Sequence, residues 1–154
     1  MNSSDNIELL LLYSKIGKPF ELTVSGSSMN PVLHDRDTIT VRRKDAYEAG
    51  DILVFLYKYN ELLVHRLLKI QNGRYFCKGD NSFRLEDIEK DKIIGAVVLE
   101  DDRNHNSDFI AASLAVSKVF RRCRYDADMT KASPEYEAYK RKYLEDDDEV
   151  QEER

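Results

Sequence analysis

Three serines and a glycine crowd the stretch Val24-Ser25-Gly26-Ser27-Ser28-Met29-Asn30-Pro31-Val32-Leu33, and a histidine stands in the apolar stretch Leu63-Val64-His65-Arg66-Leu67-Leu68. Together these residue types can do nucleophilic chemistry. A serine hydroxyl is a poor nucleophile until a neighbouring base takes its proton. A free histidine titrates close to neutral pH, whereas a lysine must be desolvated to serve there. Glycine lets the backbone approach a bound substrate, and a serine in a tight turn presents its hydroxyl and its own N–H together. Taken alone, the serine loop reads equally as an ordinary turn, and His65 as a histidine satisfied within a strand. His34, in His34-Asp35-Arg36-Asp37, and His105, in a polar loop, read as solvent-facing.

Positioning such a pair requires a rigid frame. From Phe20 to about Val98 the chain shows short β-type runs at 20–24, 38–42, 52–57, 62–70, 74–77 and 93–99. Residues 57–61 and the Asn72-Gly73 pair mark two hairpin turns. Many strands with short turns point to an all-β sandwich or a partly closed barrel rather than a parallel α/β sheet. Ahead of them, Ser3, Ser4 and Asp5 can cap a short helix that Gly17 and Pro19 end. Behind them, Phe109, Ala112, Val116, Val119 and Phe120 recur at helical spacing after a Ser107-Asp108 cap, and a second helix is expected from Pro134 to about Leu144. These shifts divide the chain into an N-terminal helix (1–19), a β-domain (20–102), a helical appendage (103–144) and an acidic tail (145–154) too charged to order itself.

Four ordered boxes carry a resemblance. The serine loop is similar to the Gly-x-Ser-Met-x-Pro-x-Leu box of signal peptidases. Gly50-Asp51-Ile52-Leu53-Val54 resembles that family's next strand, His65 stands on its base-bearing strand, and Cys77-Lys78-Gly79-Asp80-Asn81 matches its Lys-Gly-Asp-Asn box. The chain thus resembles the S24/S26 superfamily of serine peptidases, which joins signal peptidases with LexA-type repressors. That resemblance implies a mainly β fold, a LexA/signal-peptidase-like β-domain with a short N-terminal helix and a C-terminal α-helical appendage. It implies Ser28 as nucleophile and His65 as base, in the histidine variant of a family that mostly uses lysine. Asp80 becomes the first candidate to orient the histidine, with Glu86 and Asp87 as substitutes. Ser25, Gly26, Ser27 and Met29 are the expected substrate-binding and oxyanion residues, beside the Ser28 N–H. The implied activity is a serine endopeptidase cleaving a peptide or leader segment bound in extended form; a peptide- or partner-binding module of the same fold that has lost its chemistry is the alternative. No metal or other cofactor is expected. A self-cleaving repressor is disfavoured, since only about 20 residues precede the serine box.

Composition narrows the partners. The net charge of -5 sits in the tail, whose residues 145–154 hold seven acids against one arginine. A near-neutral body lacks the basic face that nucleic-acid binding needs. Cys77 and Cys123 are far apart and lack metal-ligand spacing, so they read as reduced thiols. No stretch reaches the roughly 20 apolar residues of a membrane span, and the N-terminus lacks signal-peptide features. The expectation is a cytoplasmic protein acting on a soluble precursor. The first helix reads as packed on the domain's own sheet; Leu9 and Leu12 widen its apolar stripe, so docking to a partner or peripheral contact with a membrane surface is the alternative.

Overall fold

Alternating burial lays down the first strands. β1 (Phe20–Thr23) and β2 (Thr38–Arg42) bury every second residue, the period of a strand with one face on a core. β3 (Ile52–Leu56) buries four residues in succession and is covered on both faces. With β4 (Leu62–Gln71), β5 (Arg74–Lys78), β6 (Glu86–Glu89) and β7 (Ile93–Val97), these form one antiparallel sheet of order β1-β2-β7-β3-β4-β5-β6. The computed structural model describes residues 3–145, with side chains from residue 7 onward, so the side chains of the expected Ser3–Asp5 cap and residues 146–154 of the acidic tail lie outside what is described.

Asn72 and Gly73 both take positive φ (52° and 74°), the geometry of the tight turn joining β4 to β5. β6 is absent from the sequence reading. Glu86-Asp87-Ile88-Glu89 has one good strand former, and its pairing with β5 supplies the rest. One face of the sheet buries Leu22, Val24, Ile39, Val41 and Val54 against Leu10 of α1 (Ser3–Lys15). Ser14 Oγ of that helix donates to the Ile94 carbonyl at 2.6 Å. The opposite face buries Leu53, Phe55, Leu67, Tyr75, Cys77 and Ile88. Cys77 and Cys123 are both free thiols.

α2 (Ser107–Arg122), α3 (Ala127–Lys131) and α4 (Pro134–Tyr139), which continues as a π-helical turn (Lys140–Leu144), make the appendage. The cap of α2 is Asn106, whose side chain accepts from the Phe109 N–H, one residue ahead of the expected Ser107-Asp108 pair. Phe109, Val116, Tyr136 and Tyr139 form the appendage's own core.

Where the appendage meets the sheet, Lys78 is fully buried. Its ammonium donates to Ser113 Oγ (2.8 Å) and to the Gly79 carbonyl (3.1 Å). Burial pulls its pKa down to about 7, against the pull of Asp80 and Glu86 in the other direction. Between pH 7 and its ordinary value of 10.5 the unfolded chain therefore holds the extra proton, so this group's contribution to stability improves as pH rises through that window. The melting temperature of the wild type relative to Lys78→Met is expected to climb from pH 7 to pH 9. A constant difference would show a Lys78 that stays charged when folded.

Candidate active site

The serine loop is a turn nailed down from beneath. Met29 and Leu33 are each 2% exposed in the core, one helical turn apart and joined by the Leu33 N–H to the Met29 carbonyl (2.9 Å). Anchoring at these positions leaves Ser28 at the edge of a groove. Gly26 has a φ of 89°, which a side chain rarely tolerates, and its N–H is held by Asp35 Oδ1 at 2.8 Å. The loop following β5 supports the turn from the far side. The Asn81 N–H donates to the Ser28 carbonyl (2.8 Å), Asn81 Nδ2 to the Ser27 carbonyl (3.2 Å), and the Asp80 N–H to Met29 Sδ (3.4 Å). Gly79 lies so close that a Cβ would stand 2.7 Å from the Ser28 carbonyl oxygen.

β4 delivers His65. Its Nε2 lies 3.0 Å from Ser28 Oγ, and its Nδ1 lies 2.9 Å from Glu86 Oε1. An ionised carboxylate only accepts, so the neutral imidazole keeps its proton on Nδ1 and turns a lone pair on Nε2 toward the serine hydroxyl. His65 and Glu86 are both buried, with Phe55 packed edge-on against the imidazole at 6.3 Å. The sheet register explains the meeting. Leu67 pairs with Cys77 and Cys77 with Glu86, so these side chains share the face on which His65, two residues before Leu67, also lies. Burial pushes the Cys77 thiol's pKa up, and the neighbouring Glu86 charge pushes it further.

The carboxylate beside His65 is thus Glu86, and Asp80 is engaged elsewhere. Arg66 Nε and Nη2 each bond an Asp80 oxygen at 2.9 Å. Asn104 Nδ2 donates to the same carboxylate at 3.2 Å. Because side chains alternate along a strand, Asp80's box neighbour in β5 does not decide which acid faces the base; β6 does. There Glu86 and Ile88 point inward, whereas Asp87 points out to Arg74 (2.7 Å). Ile88, an apolar residue two positions from Glu86, is the signal that could have chosen between the two acids.

The other expected site residues divide. A groove of about 560 Å³ is lined by Leu22–Ser25 along β1 and its extension, by Leu62–His65 along β4, and by Ser28, Met29, Asp35, Arg36 and Glu61. Ser25 opens onto it, and Met29 forms part of its floor from a core position. Gly26 and Ser27 do not line it; they shape the turn and give the Ser27 carbonyl to Asn81. β1 is an edge strand, and β5 pairs with β4 only from Arg66 onward, so the groove runs between two strand edges that no described strand covers. His34 packs in its turn with Nδ1 3.9 Å from Asp37. His105 is exposed, as expected, while its ring also covers Gly50 and its Nε2 lies 3.2 Å from Asp51 Oδ1. Burial would raise the Asp51 pKa, but Lys44 at 2.8 Å, the Glu48 N–H and His105 together hold it below the usual range.

No helix among the described residues is long and apolar enough to cross a membrane. No curated protein sequence matches the chain. A family model described as Peptidase S24-like matches residues 5–98, from α1 through the end of β7, and so takes in Ser28, His65 and Glu86 but not the C-terminal helices. With more than half of the chain matched and an antiparallel β fold of the expected kind, this protein belongs to the Peptidase S24-like family.

Proposed function

We propose that the chain is a serine endopeptidase in which Ser28 is the nucleophile, His65 the general base and Glu86 the acid that orients it. The observation that carries this reading is the unbroken line Ser28 Oγ–His65 Nε2, His65 Nδ1–Glu86 Oε1, with both bonds at 3.0 Å or less. Ser28 Oγ attacks the scissile carbonyl carbon while Nε2 takes its proton. The oxyanion meets the Ser28 N–H, which has no acceptor among the described residues. The imidazolium then protonates the departing amine as the C–N bond breaks, and water releases the acyl group by the same steps in reverse roles. The substrate is a peptide or precursor segment lying extended in the groove, where the free edges of β1 and β4 offer main-chain hydrogen bonds.

A fluorophosphonate probe tests the assignment. The wild type is expected to carry the adduct on the peptide containing Ser28, and Ser28→Ala and His65→Ala to carry none. Labelling is expected to slow on acidification, because a protonated imidazole has no lone pair for the serine proton. Equal labelling of wild type and Ser28→Ala would overturn the reading and leave the fold as a peptide-binding module.

A further inference from the structure

We propose that the C-terminal helices brace the nucleophile, with Tyr139 as the positioning residue: together with Ser113 it clamps the loop Lys78–Ser82, and that loop holds Ser28 in register with His65. The loop has two working sides. One side touches the nucleophile turn through Gly79, the Asn81 N–H and the Asn81 amide. The other side belongs to the helices. Tyr139 Oη donates to the Asp80 carbonyl at 2.5 Å. Lys78 Nζ reaches Ser113 Oγ of α2 at 2.8 Å and Tyr139 Oη of α4 at 3.5 Å, with the ammonium 5.0 Å above the Tyr139 ring. No carboxylate of a described residue lies within 4 Å of that ammonium, so the two hydroxyls and the Gly79 carbonyl are its solvation.

Tyr139 is itself held rigidly. It is 3% exposed and packs against the rings of Phe109 and Tyr143, both at 5.7 Å. The clamp also reaches the base. Asp80 is bonded to Arg66, the residue after His65 in β4, and Arg66 stacks over Phe109 of α2 at 5.4 Å. Ser28 and His65 lie 37 residues apart on different elements; the loop and its helical backing give them one common support. A misplacement of about 1 Å, even from a change far from the chemistry, can slow proton transfer and attack about 10²-fold. A hydroxyl lost from this clamp leaves a buried carbonyl and a buried ammonium short of a partner.

The inference rests on Ser28 as nucleophile for one readout and is independent of it for the other. Tyr139→Phe keeps the ring and removes its hydroxyl from the clamp, leaving the Ser113–Lys78 bond; Val116→Ala thins the same helical core. In full-length protein, at matched unfolding free energy, Tyr139→Phe is expected to label with the probe about tenfold more slowly, at unchanged half-saturating probe concentration. Exchange of the Asn81 amide, followed by NMR, is expected to quicken about tenfold in Tyr139→Phe relative to Val116→Ala. If the Asn81 amide loosens in Tyr139→Phe while even the wild type takes no adduct on Ser28, the brace stands and the peptidase reading fails. If the wild type labels and Tyr139→Phe matches Val116→Ala in both rate and exchange, the brace fails and the peptidase reading stands.

Discussion

Glu86→Gln is expected to slow acylation of Ser28 by about 10³–10⁴-fold, the scale seen when the acid of a serine triad becomes an amide. Size and polarity are nearly preserved, so the loss isolates charge and proton placement. Glu86 Oε1 lies 2.9 Å from Nδ1, and as a carboxylate it can only accept. A glutamine amide can instead donate to Nδ1, which moves the imidazole proton to Nε2 and points it at Ser28 Oγ. The base then has nothing with which to take the serine proton. The imidazolium formed during attack also loses its buried counter-charge. Asp87→Asn serves as the comparison, because Asp87 faces outward to Arg74 and should leave the rate within about twofold. Single-turnover labelling rates decide the matter. Near-equal rates for Glu86→Gln and wild type would remove Glu86 from the mechanism.

The largest loss of stability is expected from Arg66→Met. Arg66 has no exposed side-chain surface and makes five hydrogen bonds, two to Asp80, two to Asp102 and one to the Gly50 carbonyl. Burial alone would make its charge easier to lose, yet the two carboxylates more than offset this and hold its pKa above the usual arginine value. Methionine fills much of the volume but strands the Asp80 carboxylate, which is itself fully buried. Removing one partner of such a cluster typically costs about 3–5 kcal/mol. Urea denaturation should register that loss, and Arg66→Met combined with Asp80→Asn should recover part of it, since the stranded charge is gone. A loss below about 1 kcal/mol would mean that water reaches Asp80 once Arg66 is removed.

These two variants also mark where a reading from sequence succeeds and where it stops. Most strands announce themselves because β1 and β2 alternate and β3, β4 and β7 are apolar runs, which is local information. Ser28 and His65 are legible from the boxes that hold them. The partner of His65 is not, because it depends on which way a side chain points in β6. That strand is invisible to propensity, since three of its four residues are acids and only pairing with β5 makes it extended. Asp80 attracts attention by its box, yet its role depends on Arg66 and Asn104, 14 and 24 residues away. The function of the C-terminal helices is hidden for the same reason: Tyr139 meets the Asp80 carbonyl across 59 residues of chain. No window along the sequence spans such a contact.

If the chain is the peptidase proposed above, the groove flanked by the open edges of β1 and β4 bears on which proteins it could cut. Strand edges recognise main-chain amides, and a helix or a hairpin has already committed its amides to itself. Under the proposed peptidase activity, folded neighbours would be spared by their own hydrogen bonding, whatever residues they display. Vulnerability would follow the local unfolding free energy of the client more closely than any short consensus around the scissile bond.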